Sequence, residues 1–273
     1  MSGRGGEARG DGREAGGRGG EGEARGDGRE AGGRGGEGEA RGEGMVGWVV
    51  DVQNDFMRPD GRLYVKHLGD EGDQGAVQIE GTIAEAVAWM HEQADVVVFT
   101  GDWHGLEDPE IDPVDPDPSI GTYPPHCMGR SEDPDEQQGA WIVPSIRPED
   151  PLVLEVDADA AEGKAVARAA LESGRPVFIR KTRFDVFAGN AATEAFVATL
   201  AEALGDPEFV VVGVARDVCV TQAVDGLAGR GRHVTALRDA TWGLGLESED
   251  DTLTRWSASG RVATLEERRA EER

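Results

Sequence analysis

The chain has 273 residues and a formal net charge of −26, because 54 acidic residues face only 28 basic ones. Such an acidic protein lacks the basic face that nucleic-acid binding requires, so we expect no nucleic-acid partner. Two cysteines are too few for a disulfide framework, and no apolar run approaches the roughly 20 residues of a membrane span. We therefore expect no membrane association and a cytoplasmic location, since nothing resembles an export signal.

Residues 1–44 form a low-complexity Gly/Arg/Glu segment, in which "GEARGDGREAGGRGGE" occurs at 6–21 and again at 22–37. This segment has no aromatic or large aliphatic residue after Met1 and cannot bury enough apolar surface to offset the entropy of ordering it. We predict that it is disordered, or that it is a mis-assigned start ahead of a true start at Met45. Residues 45–273 are then expected to form one domain with its own core.

From residue 45 onward, short apolar runs alternate with segments of helical spacing. The apolar runs predict strands at 45–50, 95–100, 152–156, 175–181, 208–214 and 233–239. The periodic segments predict helices at 77–94, 158–174, 190–205, 218–231 and near 247–258. Residues 105–150 hold nine prolines and predict an irregular loop. The alternation predicts an α/β fold, with helices on both faces of a central, mostly parallel six-stranded sheet.

Reactive residue types recur where the predicted strands end. Asp51 follows the first strand, Asp102 follows the second, and Lys181 ends the strand at 175–181. The strand at 208–214 leads directly into the segment that carries Cys219. Because ligands of parallel sheets bind at the carboxyl ends of the strands, these residues are expected to meet in one site.

Each of these residues also has a plain structural interpretation. A single cysteine is more often a small buried side chain than a nucleophile, and Asp51 or Lys181 can be an ordinary strand-end charge. The position of Cys219 favours chemistry, because the first turn of a helix stabilises a thiolate and offers free N–H groups to an oxyanion. Asp102 and His104 are separated by one residue, so in an extended segment both side chains point the same way.

Five segments together resemble the isochorismatase-like cysteine hydrolases: "VVDVQNDF", "GDWH", "YPPHCMG", "IRK" and "VGVARDVCVTQAV", in this order. Within that superfamily, "GDWH" and "PPHC" are similar to the metal-containing nicotinamidases. The resemblance covers nearly all of 45–273 and implies an isochorismatase-like, Rossmann-like topology. It also implies an amidohydrolase that converts nicotinamide to nicotinate and ammonia in NAD salvage, through a thioester on the cysteine.

The resemblance assigns catalytic roles to individual residues. Cys219 matches the nucleophile, Asp51 matches the carboxylate that moves the proton, and Lys181 matches the ammonium between them. The ammonium is expected to favour the ionised form of both neighbours. The Val214–Ala215 bond matches the cis peptide of the family, and the N–H groups of Ala215 and Cys219 match its oxyanion hole.

A metal site is also implied by the resemblance. Asp102, His104 and His126 match the ligands of one divalent transition metal, and zinc, iron or manganese suits such donors alike. Some relatives have a fourth side-chain ligand in this loop, and Glu107 or Glu110 is the candidate here.

Substrate binding is assigned by the resemblance to Phe56 and Tyr123, which match aromatic positions that wall the ring of nicotinamide. Other interpretations stay open: a related cysteine amidase for another small amide or an N-carbamoyl compound, a catalytically idle member that only binds a ligand, or a metal hydrolase in which Cys219 is incidental. Family members often associate, so a homo-oligomer is a further expectation.

Overall fold

The computed structural model describes residues 44–271, so the predicted disorder of the segment up to residue 43 lies outside the described residues. A single parallel sheet of seven strands, covered by helices, confirms the predicted α/β fold. The strands are β1 Met45–Val50, β2 Val96–Asp102, β3 Leu152–Leu154, β4 Val177–Lys181, β5 Glu208–Val214, β6 His233–Trp242 and β7 Arg261–Ala263.

The strand order is β3-β4-β2-β1-β5-β6-β7, and every neighbouring pair is parallel. The chain builds outward from β1 in both directions, with β2 on one side and β5 on the other. The order therefore reverses at the centre of the sheet. Crevices at such a reversal, beyond the carboxyl ends of the strands, are where open α/β sheets bind their ligands.

The central strands read as continuous apolar runs because both faces of the sheet are covered. All six residues of β1 are buried. Val49 belongs to the core on one face, while Val46, Trp48 and Val50 belong to the core on the other. This alternation is the two-residue period of a strand, applied to a sheet with a core on each side.

The helices lie close to the predicted positions, although several are shorter. Helix α4 begins with a complete capping box from Asp159 and Glu162, which explains its sharp start. The α-helices are α1 Asn54–Met57, α2 Glu80–Gln93, α3 Pro134–Ala140, α4 Ala160–Ser173, α5 Val186–Gly189, α6 Thr193–Leu204, α7 Thr221–Gly229, α8 Glu249–Ser259 and α9 Leu265–Ala270.

Three details differ from the sequence-based prediction. The segment 105–150, predicted as an irregular loop, contains the short helix α3. The sheet has seven strands rather than six, because Arg261–Ala263 pairs with β6 as a three-residue edge strand. A run this short gives no alternation to detect. The segment that carries Cys219 opens with a π-helical turn, Arg216–Val220, and α7 begins only after it. Within the described residues, no helix is long and apolar enough to cross a membrane.

Candidate active site

The four reactive positions predicted from the strand ends meet at the carboxyl edge of the sheet. Asp102 and Lys181 are register partners in the β2–β4 pair, and Asp51 follows the neighbouring strand β1. Asp51 is fully buried and has an unusual positive φ of 53°, while its N–H donates to Thr100 O at 3.2 Å. Residues held in sparsely populated backbone regions cluster at functional sites, so this geometry agrees with a role for Asp51.

Lys181 lies between two buried carboxylates. Its Nζ is 2.9 Å from Asp51 Oδ2 and also donates to Asp102 Oδ1. Burial lowers the pKa of Lys181, but the charges of Asp102 and Asp51 outweigh it and hold the pKa well above its usual value. Burial likewise raises the pKa of Asp102, and the Lys181 ammonium reverses this and leaves the pKa well below its usual value. The ion pair is therefore charged on both sides.

The pKa values of Asp51 and Cys219 differ from the expectation that Lys181 would favour ionisation of both. Burial raises the pKa of Asp51 and outweighs the Lys181 charge. Burial also raises the pKa of the Cys219 thiol well above its usual range, and the nearby Asp51 and Asp102 carboxylates add to the effect. The resting cysteine is therefore a protonated thiol, and it needs a base to become a nucleophile.

Cys219 reaches the site from the π-helical turn that follows β5. The Val214–Ala215 peptide just before this turn is cis. Gly213, with φ of +126°, lets β5 approach β1 here, since a Cβ at this position would lie 2.0 Å from Val50 O. The backbone N–H groups of Val218 and Val220 both donate to Ala215 O, which closes the turn around the cysteine.

Three further predicted residues converge beside the ion pair. One ligand atom each from Asp102, His104 and His126 lie within 4.8 Å of one another, and all three residues are buried. Asp102 Oδ2 is 3.6 Å from His104 Nε2 and 3.7 Å from His126 Nε2. None of these three atoms has a hydrogen-bond partner among the described residues. Buried polar atoms without partners are costly, so this arrangement fits a cation that would bind all three.

The opposite ring nitrogens of both histidines are occupied. His126 Nδ1 donates to Pro124 O at 2.8 Å, and His104 Nδ1 lies 3.1 Å from Asp108 Oδ2. Burial raises the pKa of Asp108, but hydrogen bonds from His104 and Arg130 outweigh it and lower the pKa to about 2. Asp108 is therefore ionised and accepts a hydrogen bond from the Nδ1–H of His104, which leaves Nε2 free to bind a metal.

The two candidates for a fourth ligand are in different surroundings. Glu107 has a side chain that is 73% exposed, and its carboxylate pairs with Arg130 at 3.1 Å. Glu110 is buried, and its Oε1 accepts from Phe184 N at 3.1 Å while Oε2 has no hydrogen-bond partner. Burial, together with the charge of Asp102, raises the pKa of Glu110 to about 7. Of the two predicted candidates, the buried Glu110, with one oxygen that has no hydrogen-bond partner, fits a fourth ligand better than the exposed Glu107.

A narrow cavity opens onto the thiol and the metal-ligand cluster. The rings of the predicted Phe56 and Tyr123 both line it, with centroids 5.5 Å and 6.2 Å from the His126 ring. Phe184 packs edge-on against Tyr123 at 5.3 Å and completes an aromatic wall. The lining residues are Phe56, Leu63, Val65, Asp102, Tyr123, His126, Phe184, Ala215, Val218, Cys219 and Leu244.

Sequence reasoning missed several residues of this site, and three of them contact the predicted residues directly. The Thr100 hydroxyl donates to Asp51 Oδ1 at 2.7 Å, Asp108 faces His104, and Phe184 lines the cavity. Thr100 stands two residues before Asp102 on β2 and so faces the same side of the strand, which was a usable signal. Asp108 lies among many acidic residues of one loop, where nothing in the sequence distinguishes it.

A family model for the isochorismatase domain matches residues 48–267. The chain belongs to the isochorismatase family. This match confirms the sequence resemblance to isochorismatase-like hydrolases. A search of curated protein sequences found no significant match to the chain.

Several solved structures share this fold at low sequence identity. A nicotinamidase/pyrazinamidase from Bacillus subtilis has a TM-score of 0.56 and 19% identity, over 81% of this chain and 99% of that one. A pyrazinamidase from Pyrococcus horikoshii in complex with zinc has a TM-score of 0.54 and 23% identity, over 81% and 99%. An N-carbamoylsarcosine amidase from Thermoplasma acidophilum has a TM-score of 0.52 and 18% identity, over 81% and 96%. At such identities the likeness shows the isochorismatase-like fold alone.

Proposed function

We propose that this family member is a metal-containing nicotinamidase, which hydrolyses nicotinamide to nicotinate and ammonia and so serves NAD salvage. The observation that carries the proposal is one cavity that is lined by Cys219, by Asp102 and His126 of the metal-ligand cluster, and by aromatic side chains. A flat amide whose ring holds a metal-binding nitrogen matches both the thiol and the metal-ligand cluster of such a cavity.

The charge of the cavity supports a neutral substrate. Among the described residues that line it, none is a lysine or an arginine. An N-carbamoyl amino acid carries a carboxylate, which needs a cationic partner when it is buried, and within this lining the proposed metal ion alone would serve as that partner. Nicotinamide has no charge to neutralise, and its ring would pack against Phe56, Tyr123 and Phe184. A cysteine amidase for N-carbamoyl substrates stays the second candidate, because one structural neighbour is such an enzyme.

The first chemical step is an attack by sulfur on the amide carbon. Asp51 is the nearby carboxylate with a raised pKa, and it is close enough to Cys219 to raise the pKa of the thiol. In the proposed step, Asp51 accepts the thiol proton as the carbon–sulfur bond forms. The backbone N–H groups of Ala215 and Cys219 hold the oxyanion, and removal of one such donor typically costs roughly 2.7–4 kcal/mol.

The second step breaks the carbon–nitrogen bond. Protonated Asp51 returns its proton to the nitrogen, because an amide anion does not leave unaided. Ammonia departs and a thioester to Cys219 remains. A water that gives its proton to Asp51 then hydrolyses the thioester and releases nicotinate and the free thiol. Lys181 stabilises the Asp51 carboxylate whenever it is ionised, since its Nζ lies 2.9 Å away.

The metal's proposed part is to hold and orient the substrate. A divalent zinc, iron or manganese ion would be held by Asp102, His104 and His126, with Glu110 as the candidate fourth group. When bound, it supplies a Lewis-acidic site for the lone pair of the ring nitrogen. Held in this way, the substrate amide would be oriented toward Cys219 in the same cavity.

A substrate panel tests the proposal. Ammonia release is measured for the zinc-loaded protein with nicotinamide, benzamide and N-carbamoylsarcosine. Benzamide has the shape of nicotinamide but lacks the ring nitrogen. We expect nicotinamide to have the highest kcat/KM, with benzamide lower by at least tenfold. Rapid turnover of N-carbamoylsarcosine with none of nicotinamide would instead establish the second candidate.

A further inference from the structure

The two histidines of the metal-ligand cluster are oriented by different kinds of group. His126 Nδ1 donates to a neutral backbone carbonyl, Pro124 O, at 2.8 Å. His104 Nδ1 instead faces the carboxylate of Asp108, with Oδ2 at 3.1 Å. Asp108 is only 9% exposed and lies four residues after the histidine. A buried carboxylate in this position both fixes the tautomer of an imidazole and increases its basicity.

The Asp108 carboxylate is itself held on both oxygens. Oδ2 also accepts the backbone N–H of Gly105 at 3.1 Å, and Oδ1 accepts from Arg130 Nη2. Arg130 in turn is bound to the metal-binding loop, since its Nε donates to Trp103 O at 3.2 Å and its N–H to His104 O at 3.1 Å. The guanidinium therefore fixes which oxygen of Asp108 is turned toward the histidine.

We propose that Asp108, oriented by Arg130, is a positioning residue that holds His104 in the Nδ1–H tautomer and directs its Nε2 to the metal. The inference rests on the proposed metal-containing function. Asp108 does not touch the metal or the substrate in this role. Its effect is on the affinity of the site for the ion, through the charge and the proton that it imposes on one ligand.

Replacement by asparagine separates this role from simple packing. Asp108→Asn preserves the shape of the side chain but removes its charge and replaces one of its two oxygens with an NH₂ group. Arg130 and the Gly105 N–H are both donors and compete for the one remaining oxygen, so the charge that faces His104 is lost in either orientation. In the orientation that serves Arg130, the amide NH₂ group faces Nδ1 and favours the Nε2–H tautomer, which is the wrong one for metal binding. Glu107→Gln is the matched control, because Glu107 also pairs with Arg130 but its carboxylate is exposed, whereas that of Asp108 is buried against His104.

The experiment measures the zinc affinity of the full chain by competition with a chromophoric chelator, for the wild type and both variants. We expect Asp108→Asn to weaken zinc binding by roughly 10–100-fold, the usual effect of removing a group that orients a metal ligand. Glu107→Gln is expected to bind zinc like the wild type. Equal affinity of all three proteins would overturn the inference and leave the proposed function intact.

An NMR spectrum of the wild type tests the tautomer of His104 directly. This measurement does not depend on whether the Asp108→Asn variant folds. In a long-range ¹H–¹⁵N correlation spectrum of the zinc-loaded, histidine-labelled protein, His104 should carry its proton on Nδ1 and lack one on Nε2. A metal on Nδ1 of His104, or a proton on its Nε2, would overturn the inference. If the wild type binds no zinc, the metal-containing function fails and the inference fails with it, a result distinct from equal binding by all variants.

Discussion

The two halves of the site are constructed in different ways. The nucleophile half, Asp51, Lys181 and Cys219, sits at or directly after the ends of parallel strands, so the register of the sheet places it. The metal half takes Asp102 from a strand end as well, but His104 and His126 come from a long irregular loop. That loop is held by side-chain contacts from elsewhere. Sheet-placed residues were therefore accessible to sequence reasoning, whereas the contacts that hold the loop were not.

Two of the side chains that hold the loop are buried and follow β1. Gln53 donates to Asp102 O at 2.8 Å and to Ala140 O at 2.7 Å, so it joins β2 to the far end of the loop. Asp55 Oδ2 accepts the N–H of Cys127, the residue after His126, at 2.6 Å. Both residues lie in the segment directly after β1, and this segment also carries Asp51. The same short stretch of chain therefore contributes to both halves of the site.

The largest expected effect comes from removing the nucleophile. Cys219→Ala should lower kcat for nicotinamide on the order of 10⁶-fold, since loss of a nucleophile disables the whole catalytic unit. Zinc affinity should not change, because Cys219 is not among the three clustered ligands. Ammonia release and metal content are measured on the same samples. Substantial turnover by the variant would mean that metal-activated water, rather than the thiol, performs the reaction.

Lys181 joins the two halves, so its loss should damage both. Lys181→Met leaves Asp51 and Asp102 buried without their shared cation, which should destabilise the protein by roughly 3–5 kcal/mol. Chemical denaturation gives the free energy of unfolding. Lys164→Met, on the exposed side of α4, is the matched control and should have almost no effect. An unchanged stability of Lys181→Met would show that the buried ion pair does not contribute as described.

Metal binding can be weakened by a substitution that leaves Asp51, Lys181 and Cys219 in place. His126→Ala should lower zinc affinity by more than the roughly 10–100-fold that loss of an outer orienting residue costs. The fold and the alkylation rate of Cys219 should be preserved, because the thiol is carried by a different element. Elemental analysis and thiol labelling give the two readouts. His233→Ala, at an exposed position, is the control, and full zinc binding by His126→Ala would remove it from the ligand set.

The smallest expected effect concerns the support of Asp51. Thr100→Val removes the hydroxyl that donates to Asp51 Oδ1 at 2.7 Å and leaves a buried carboxylate oxygen without that partner. A loss of about 1–3 kcal/mol in the free energy of unfolding is expected, with unchanged zinc affinity. Thr199→Val, whose hydroxyl bonds within its own helix, should shift stability by less than about 0.5 kcal/mol. An equal change in the free energy of unfolding for the two variants would show that the Thr100 hydroxyl does not stabilise Asp51.

The sequence permits most of the fold to be predicted, and it also predicts that Asp51, Asp102, Lys181 and Cys219 meet at one edge of the sheet, for a physical reason. Apolar runs fix the strands, parallel pairing brings their carboxyl ends together, and the motifs at those ends can be read directly. The resting state of Cys219 could not be predicted, because the pKa depends on complete burial among carboxylates. Likewise, only the folded loop distinguishes Asp108 and Glu110 from the neighbouring acids.

Single turnover tests the central claim most directly. Excess zinc-loaded protein is mixed with nicotinamide, quenched in acid at successive times, and digested for mass spectrometry of the peptide that contains Cys219. The account predicts a nicotinoyl group on Cys219 that appears before nicotinate, and its absence in a sample stripped of metal by a chelator. Nicotinate formed at the full rate while Cys219 stays unmodified at every quench time would contradict it.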